Sequence, residues 1–290
     1  PKGKTGVNFY VGYDQQNQIT TSTLDNKRIF YTGDDGNVRE RWQFKLGLLQ
    51  RHHVVTTQTL YASYNHISIE NEVLAFNQDY LDSTSSTEYF QLQYFLKHDK
   101  RDYRHYPLNG HYADLIITQS GLGFGKNMLL TTFESAARIF RPIKGRFYMA
   151  AGLQGKYTLQ DRIPYFLQEG LGYKNYIRGY EYYVLDGNHY FLGKTNVKYE
   201  LVKKKTHDLP FIKNPRFNKF YYALFLNLFS DFGYVQNNFS GQWNDLSNKW
   251  LSSYGIGLDF LTYYDTTIRF EFSLNGEAER GFFLHFTQPI

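Results

Sequence analysis

The chain has no cysteine among its 290 residues. That excludes a disulfide scaffold, a thiolate nucleophile and any Cys-ligated metal site. Methionine and proline are scarce, with 2 and 7 copies. No stretch reaches the ~18 consecutive apolar residues that a transmembrane helix requires. No run of Pro, Gly/Ser or like charge is long enough to separate two domains. Residues 1–290 therefore read as one domain. The net charge of +5 comes with dispersed basic residues. Lys203-Lys204-Lys205 is the one tight cluster. It reads as a solvated turn, and a nucleic-acid partner is not expected.

What is abundant is aromatic. The chain holds 27 Tyr and 25 Phe, yet its mean hydropathy is −0.53. A soluble core with this many rings would carry more Leu, Ile and Val. A barrel in a membrane accommodates both properties, with apolar side chains facing lipid and polar ones facing the lumen. The sequence alternates accordingly, with period two. In 217–236, Phe220, Tyr222, Leu224, Leu226, Leu228, Phe232 and Tyr234 share one face, and Asn227 and Asp231 the other. In 266–276, Ile268, Phe270, Phe272 and Leu274 oppose Arg269, Glu271, Ser273 and Asn275. In 41–48, Trp42, Phe44, Leu46 and Leu48 oppose Arg41, Gln43 and Lys45.

Twelve strands are predicted, over 5–14, 38–50, 53–68, 88–100, 109–120, 127–142, 146–160, 189–202, 217–236, 250–263, 266–276 and 281–290. Stretch 22–33 has room for a further strand pair. Many strands reach the ~9–11 residues of a tilted membrane strand. Tight turns at His52-His53, Ile143-Lys144-Gly145 and Asp265 tend to alternate with the long connections 15–37, 70–87, 161–188 and 237–249. Connection 203–216 breaks the alternation, being long on the short-turn side. Short turns at one end and long loops at the other mark an outer-membrane barrel. A soluble β-sandwich also alternates, but it lacks this loop asymmetry and strand length.

Connection 161–188 reads Ile163-Pro164-Tyr165-Phe166, then Gly170-Leu171-Gly172, then Ile177-Arg178-Gly179-Tyr180. Five strands follow it. The first carries Glu200 and the second Asp231, both on polar faces. Upstream, Asp99-Lys100-Arg101-Asp102 precedes Tyr106-Pro107-Leu108-Asn109-Gly110. These features together resemble the BamA/TamA superfamily, the bacterial surface antigen family of outer-membrane assembly and translocation barrels. The resemblance covers roughly residues 88–290. It implies an all-β, antiparallel transmembrane barrel whose 161–188 loop plugs the lumen. It implies that Arg178, within Ile177, Arg178, Gly179 and Tyr180, meets the acids Glu200 and Asp231. It also implies a periplasmic turn built on Asp99, Asp102, Pro107 and Gly110. Family barrels usually have sixteen strands, against the twelve placed here. The family's usual aromatic last residue is Ile290 in this chain, after Pro289.

The implied function is non-enzymatic: inserting or translocating polypeptides in the bacterial outer membrane through a lateral strand seam. The implied partners are outer-membrane lipid, substrate outer-membrane proteins, and periplasmic or lipoprotein accessory subunits. No signal peptide precedes Pro1, so a natural N-terminal periplasmic region is expected to lie outside this chain. Two alternatives are a membrane anchor for an N-terminal hydrolase, patatin-like phospholipase or metallophosphoesterase, and a passive porin. No cofactor or metal is expected. Gly187 to Thr195 misses the P-loop spacing by one residue, and Gly121-Leu122-Gly123-Phe124-Gly125 lacks a dinucleotide-binding context. His52-His53 and His98 with His105 lack further ligands at sensible spacing. No Gly-x-Ser-x-Gly elbow occurs. Asp259 and Glu271 read as wall charges.

Overall fold

The structure, a computed structural model, describes residues 4–33, 36–122, 128–208, 219–238, 243–262 and 266–286. In chain order the strands are β1 (Thr5–Gln16), β2 (Gln18–Leu24), β3 (Lys27–Thr32), β4 (Arg39–His53), β5 (Thr56–Ile69), β6 (Ser86–Asp99), β7 (Gly110–Ser120) and β8 (Leu130–Lys144). They continue as β9 (Phe147–Thr158), β10 (Glu169–Leu171), β11 (Leu185–Asp186), β12 (His189–Asp208), β13 (Lys219–Gln236), β14 (Trp250–Leu261), β15 (Thr267–Asn275) and β16 (Arg280–Phe286). One short helix, α1 (Asn71–Phe76), lies between β5 and β6.

Twelve of these form one antiparallel sheet, in the order β1-β4-β5-β6-β7-β8-β9-β12-β13-β14-β15-β16. Hairpins β2–β3 and β10–β11 stand apart. Twelve wall strands are thus present as the alternation predicts, and hairpin β2–β3 occupies the stretch with room for an extra pair. The wall curls, because a single cavity of about 380 Å³ is lined from β4, β5, β6, β7, β8, β9 and β12 together. β1 and β16 end the sheet, and no hydrogen-bonded pair joins them among the described residues.

Face assignment follows from the pleat. Successive side chains point to opposite faces, so a strict apolar/polar alternation assigns one face outward. On β13 Leu228 and Phe232 are exposed while Asn227, Phe229 and Asp231 are buried. On β15 Phe270 and Phe272 are exposed while Arg269, Glu271 and Ser273 are buried. A soluble protein would invert this pattern. A wall surrounded by hydrocarbon requires it, because every lipid-facing polar group would cost several kcal/mol.

Two details differ from the sequence reading. The β4–β5 turn falls at Val54 and Val55, since β4 continues through His53 and pairs with Thr56. Lys203 to Lys205 lie in β12, which continues to Asp208 by pairing with β13 across bulges. They are exposed as predicted, but they are strand residues; Lys204 Nζ lies 4.2 Å from the Tyr221 ring centroid. The predicted turn at Asp265, the tip at Gly123 and Gly125, and Pro289 with Ile290 lie outside the described residues.

Candidate functional site

The long connection between β9 and β12 enters the lumen. Its entry is a 3-10 turn over Tyr165–Leu167, followed by hairpin β10–β11. Lys156 Nζ, on the wall, donates to the carbonyls of Leu167 at 3.0 Å and Glu169 at 2.9 Å. The apolar residues Leu171, Ile177, Tyr180 and Leu185 of this loop pack with Leu192, Val235, Leu246 and Leu251. Burial of those side chains, worth ~1.5–3 kcal/mol each, helps offset the entropy of ordering the loop.

The four residues Ile177, Arg178, Gly179 and Tyr180 each do a separate job. Ile177 anchors the apolar cluster, with 1% of its surface exposed. Gly179 has φ +85°, a left-handed conformation that costs a side-chain-bearing residue. Its amide donates to Glu181 Oε2 at 2.6 Å and its carbonyl accepts from Asn275 Nδ2 at 2.9 Å. The Tyr180 hydroxyl accepts from the Gly276 amide at 3.0 Å, fastening the loop to the β15–β16 turn.

Arg178 is 2% exposed and Asp231 is 0% exposed. The Arg178 fork donates to both Asp231 oxygens, Nε to Oδ2 at 2.9 Å and Nη2 to Oδ1. The Arg178 amide also donates to Asp231 Oδ2 at 3.1 Å. Nη1 donates to Asn196 Oδ1 at 2.8 Å and stands 3.6 Å from Glu271 Oε1. The guanidinium lies 4.0 Å above the Phe229 ring. A planar guanidinium suits this bidentate, ring-stacked environment, and a lysine would not reproduce it.

Glu200 takes no part in these contacts. It has the right parity but the wrong depth. Asp231 pairs with Lys194, whereas Glu200 pairs with Phe225, six positions along the ladder. At ~3.3 Å per residue that is about 20 Å, beyond the reach of one arginine. Asn196 and Glu271 occupy the places expected for it. Glu271 was on a polar face in the alternation, but nothing in the linear order gives the depth of either residue relative to Arg178.

A second ion pair continues the network. Arg269 donates to Asp259 through Nε at 2.6 Å and Nη2 at 3.0 Å, and its Nη1 stands 3.5 Å from Glu271 Oε1. Tyr106, in the turn between β6 and β7, donates to Asp259 Oδ2 at 2.7 Å. Burial, then the Asp259 carboxylate, pushes the Tyr106 hydroxyl well above the usual tyrosine range, so it remains a donor. Lys198 Nζ lies 4.0 Å from the Tyr106 ring centroid. Tyr106 is a contact that the sequence reading passed over, though it sat inside the quoted turn.

The turn itself is held by its polar residues. Asp99 receives Arg101 bidentately, at 2.9 and 3.0 Å. Asp102 Oδ1 accepts the amides of Tyr103 at 2.8 Å and Leu108 at 3.1 Å. Gly110 has φ +106°, and a Cβ there would stand 2.1 Å from the Lys100 carbonyl oxygen. Pro107 is buried beside Tyr106. These residues shape the turn that carries Tyr106 into the lumen; they do not touch Arg178.

At the opposite end, hairpin β2–β3 reaches across the lumen. Asn26 accepts the Leu246 amide at 3.3 Å and donates to Asp245 Oδ1 at 2.8 Å. Thr23 donates to Asp186 Oδ2 at 2.7 Å, and Tyr173 donates to the other Asp186 oxygen. Burial pushes the Asp186 carboxyl up, and the Tyr173 and Thr23 hydrogen bonds oppose that rise.

A sequence-family profile described as the Omp85 superfamily domain matches residues 5–282. Among solved structures, the crystal structure of BamA from Haemophilus ducreyi lacking POTRA domains 1-3 superposes with a TM-score of 0.65 at 13% identity. The match covers 97% of this chain and 57% of that one, so this chain spans just over half of the BamA chain. At that identity the likeness is one of fold. No curated protein sequence matches the chain.

Proposed function

This chain belongs to the Omp85 superfamily, and we propose on that premise that it is a non-enzymatic barrel of the bacterial outer membrane that inserts or translocates polypeptides. The incoming chain would pair with the free edges of β1 and β16 by β-augmentation, where main-chain hydrogen bonds give affinity and alternate side chains give selectivity. The observation that carries this reading is the sheet order, in which β1 and β16 are the two ends among the described residues. A closed barrel would have no edge, and an unpaired strand is a template for another chain. β1 is also exposed on both faces, with Phe9 at 72% and Tyr10 at 53%. The exposed Val7, Phe9, Phe282 and Leu284 would meet outer-membrane lipid. Periplasmic or lipoprotein accessory subunits would dock at the short-turn end. The packed loop, with Arg178 at its centre, braces β12, β13 and β15 while the edges stay available.

The test uses the thiol-free background. Phe9→Cys is combined with single cysteines scanned along 280–286, and β1 is tethered to β16 by disulfide or a short bifunctional linker. Insertion of an unfolded outer-membrane protein into proteoliposomes is then measured. The reading expects the tether to abolish insertion and reductant to restore it. Equal rates with and without a verified tether would sink it.

A further inference from the structure

Two acids and an imidazole stand beside the Arg178 network and share Glu271 with it. Glu181 follows the loop tetrapeptide, Glu271 lies on β15 and His285 on the terminal strand β16. One ligand atom from each lies within 4.8 Å of the other two. His285 Nε2 stands 3.2 Å from Glu271 Oε2 and 3.7 Å from Glu181 Oε1. Although close, they leave atoms without hydrogen bonds: Glu181 Oε1, Glu271 Oε1 and His285 Nε2 are buried and make none among the described residues. Glu271 is 1% exposed.

We infer that Glu181, Glu271 and His285 are the three protein ligands of a divalent-cation site, with zinc the best-fitting ion. Three observations carry this. First, the spacing fits. A tetrahedral zinc with ligands at ~2.0–2.2 Å holds them about 3.3–3.6 Å apart; the imidazole stands at 3.2 and 3.7 Å from the two carboxylate oxygens, and all three ligand atoms lie within 4.8 Å of one another. Second, the ligands are pre-oriented. Glu181 Oε2 is held by the Gly179 amide at 2.6 Å, which aims Oε1 at His285. Such outer contacts fix first ligands in metal sites. Third, one oxygen of each carboxylate is turned toward the His285 ring. Arg178 and Arg269 each have a bidentate aspartate, Asp231 and Asp259, and both approach Glu271 only at Oε1, from 3.6 and 3.5 Å. Oε2 of Glu271 and Oε1 of Glu181 are left to one imidazole. Two carboxylates and one imidazole, with a fourth position open to water, make a ligand set that zinc accepts.

The consequence for function rests on the reading above. His285 is the only one of the three on an edge strand, so the ion would fasten β16 to the lumenal loop and oppose opening of that edge. Binding itself does not depend on that reading.

The experiment is calorimetric titration of zinc chloride into the folded, chelator-stripped chain in detergent, alongside thermal unfolding with and without zinc. One zinc per chain is expected, with a raised unfolding temperature. His285→Ala and Glu181→Gln are each expected to weaken binding by about tenfold or more and to abolish the thermal shift. His98→Ala is expected to leave binding unchanged; its ring stacks on that of His111. Absence of saturable binding overturns the proposal, as does binding that survives His285→Ala and Glu181→Gln but is lost with His98→Ala. Glu271→Gln is avoided because that side chain also faces two arginines. A failed titration leaves the tether experiment intact, and a failed tether leaves the titration readable.

Discussion

The two halves of the wall share one binary pattern and differ in what fills the space behind it. On β12 to β15 the lumen face is packed: Asn196, Asn227, Asp231, Asp259, Arg269 and Glu271 are all at or below 5% exposure. They are covered by the loop between β9 and β12 and by Tyr106. On β4 to β8 the polar face borders the large cavity, and its residues pair with one another across strands. Arg41 Nη2 and Gln43 Nε2 both donate to Asn65 Oδ1, at 3.1 and 2.8 Å. β1, at the far edge, has little cover on either face. Alternation alone therefore does not decide which polar face becomes a rigid ionic core. The side on which the loop docks decides it, and the same residue types form an ionic core on one wall and line a cavity on the other.

That contrast can be broken most forcefully at its centre. Arg178→Ala removes the bidentate partner of the fully buried Asp231. Breaking a buried pair from one side costs about 3–5 kcal/mol, read as a lower urea midpoint and lost heat-resistance in detergent gels. Arg41→Ala, on the cavity side, is expected to cost about 0.5–1.5 kcal/mol. Equal losses would erase the distinction between the walls. Next in size is Tyr106→Phe. It strips a hydrogen bond from buried Asp259, an expected loss of about 1–3 kcal/mol in the same unfolding assay, with the β6–β7 turn still folded.

Two smaller tests sharpen the comparison at the loop end. Asn26→Ala deletes the side-chain bonds to Asp245 and the Leu246 amide. Hydrogen-exchange protection in 18–32 is expected to fall about tenfold, from the ~1–1.5 kcal/mol those bonds supply, while the wall midpoint stays put. The smallest effect concerns Glu279 in the β15–β16 turn. Hydrogen bonds from Tyr183 at 2.6 Å and Asn275 at 2.8 Å hold its carboxyl below the usual glutamate range. The ionised form is the one favoured by folding. Its contribution is present above the unfolded pKa of about 4.3 and is lost as pH falls through the lowered folded value. Exchange in the 275–280 turn is expected to rise on acidification through that window, and Glu279→Gln is expected to remove the dependence.

The wall was legible because its physics is local. Period two assigns faces without knowledge of the partner strand, so β13 and β15 could be read residue by residue. Turn positions were less legible: Val54-Val55 carries no turn chemistry, yet β4 runs to His53 because β5 continues the ladder. The site was half legible. Parity put Asp231 on a polar face, and the family resemblance, not the residues alone, implied that Arg178 meets it. Glu200 met the same criteria and lies about 20 Å along the ladder. Asn196, Glu271 and Tyr106 are brought to the site by register, sheet curvature and the fold of the β6–β7 turn.

By itself the sequence determined the number of wall strands and the outward and inward faces, which follow from short-range pattern: pleat parity and strand length. That the 161–188 loop enters the lumen was implied by the family resemblance. Only the tertiary structure decided which acid meets which base, which wall the loop packs against, and that His285 of the last strand stands beside two carboxylates. These depend on depth along a tilted ladder and on how far the sheet curls. Neither quantity is written in any one segment, because both are properties of twelve strands paired at once.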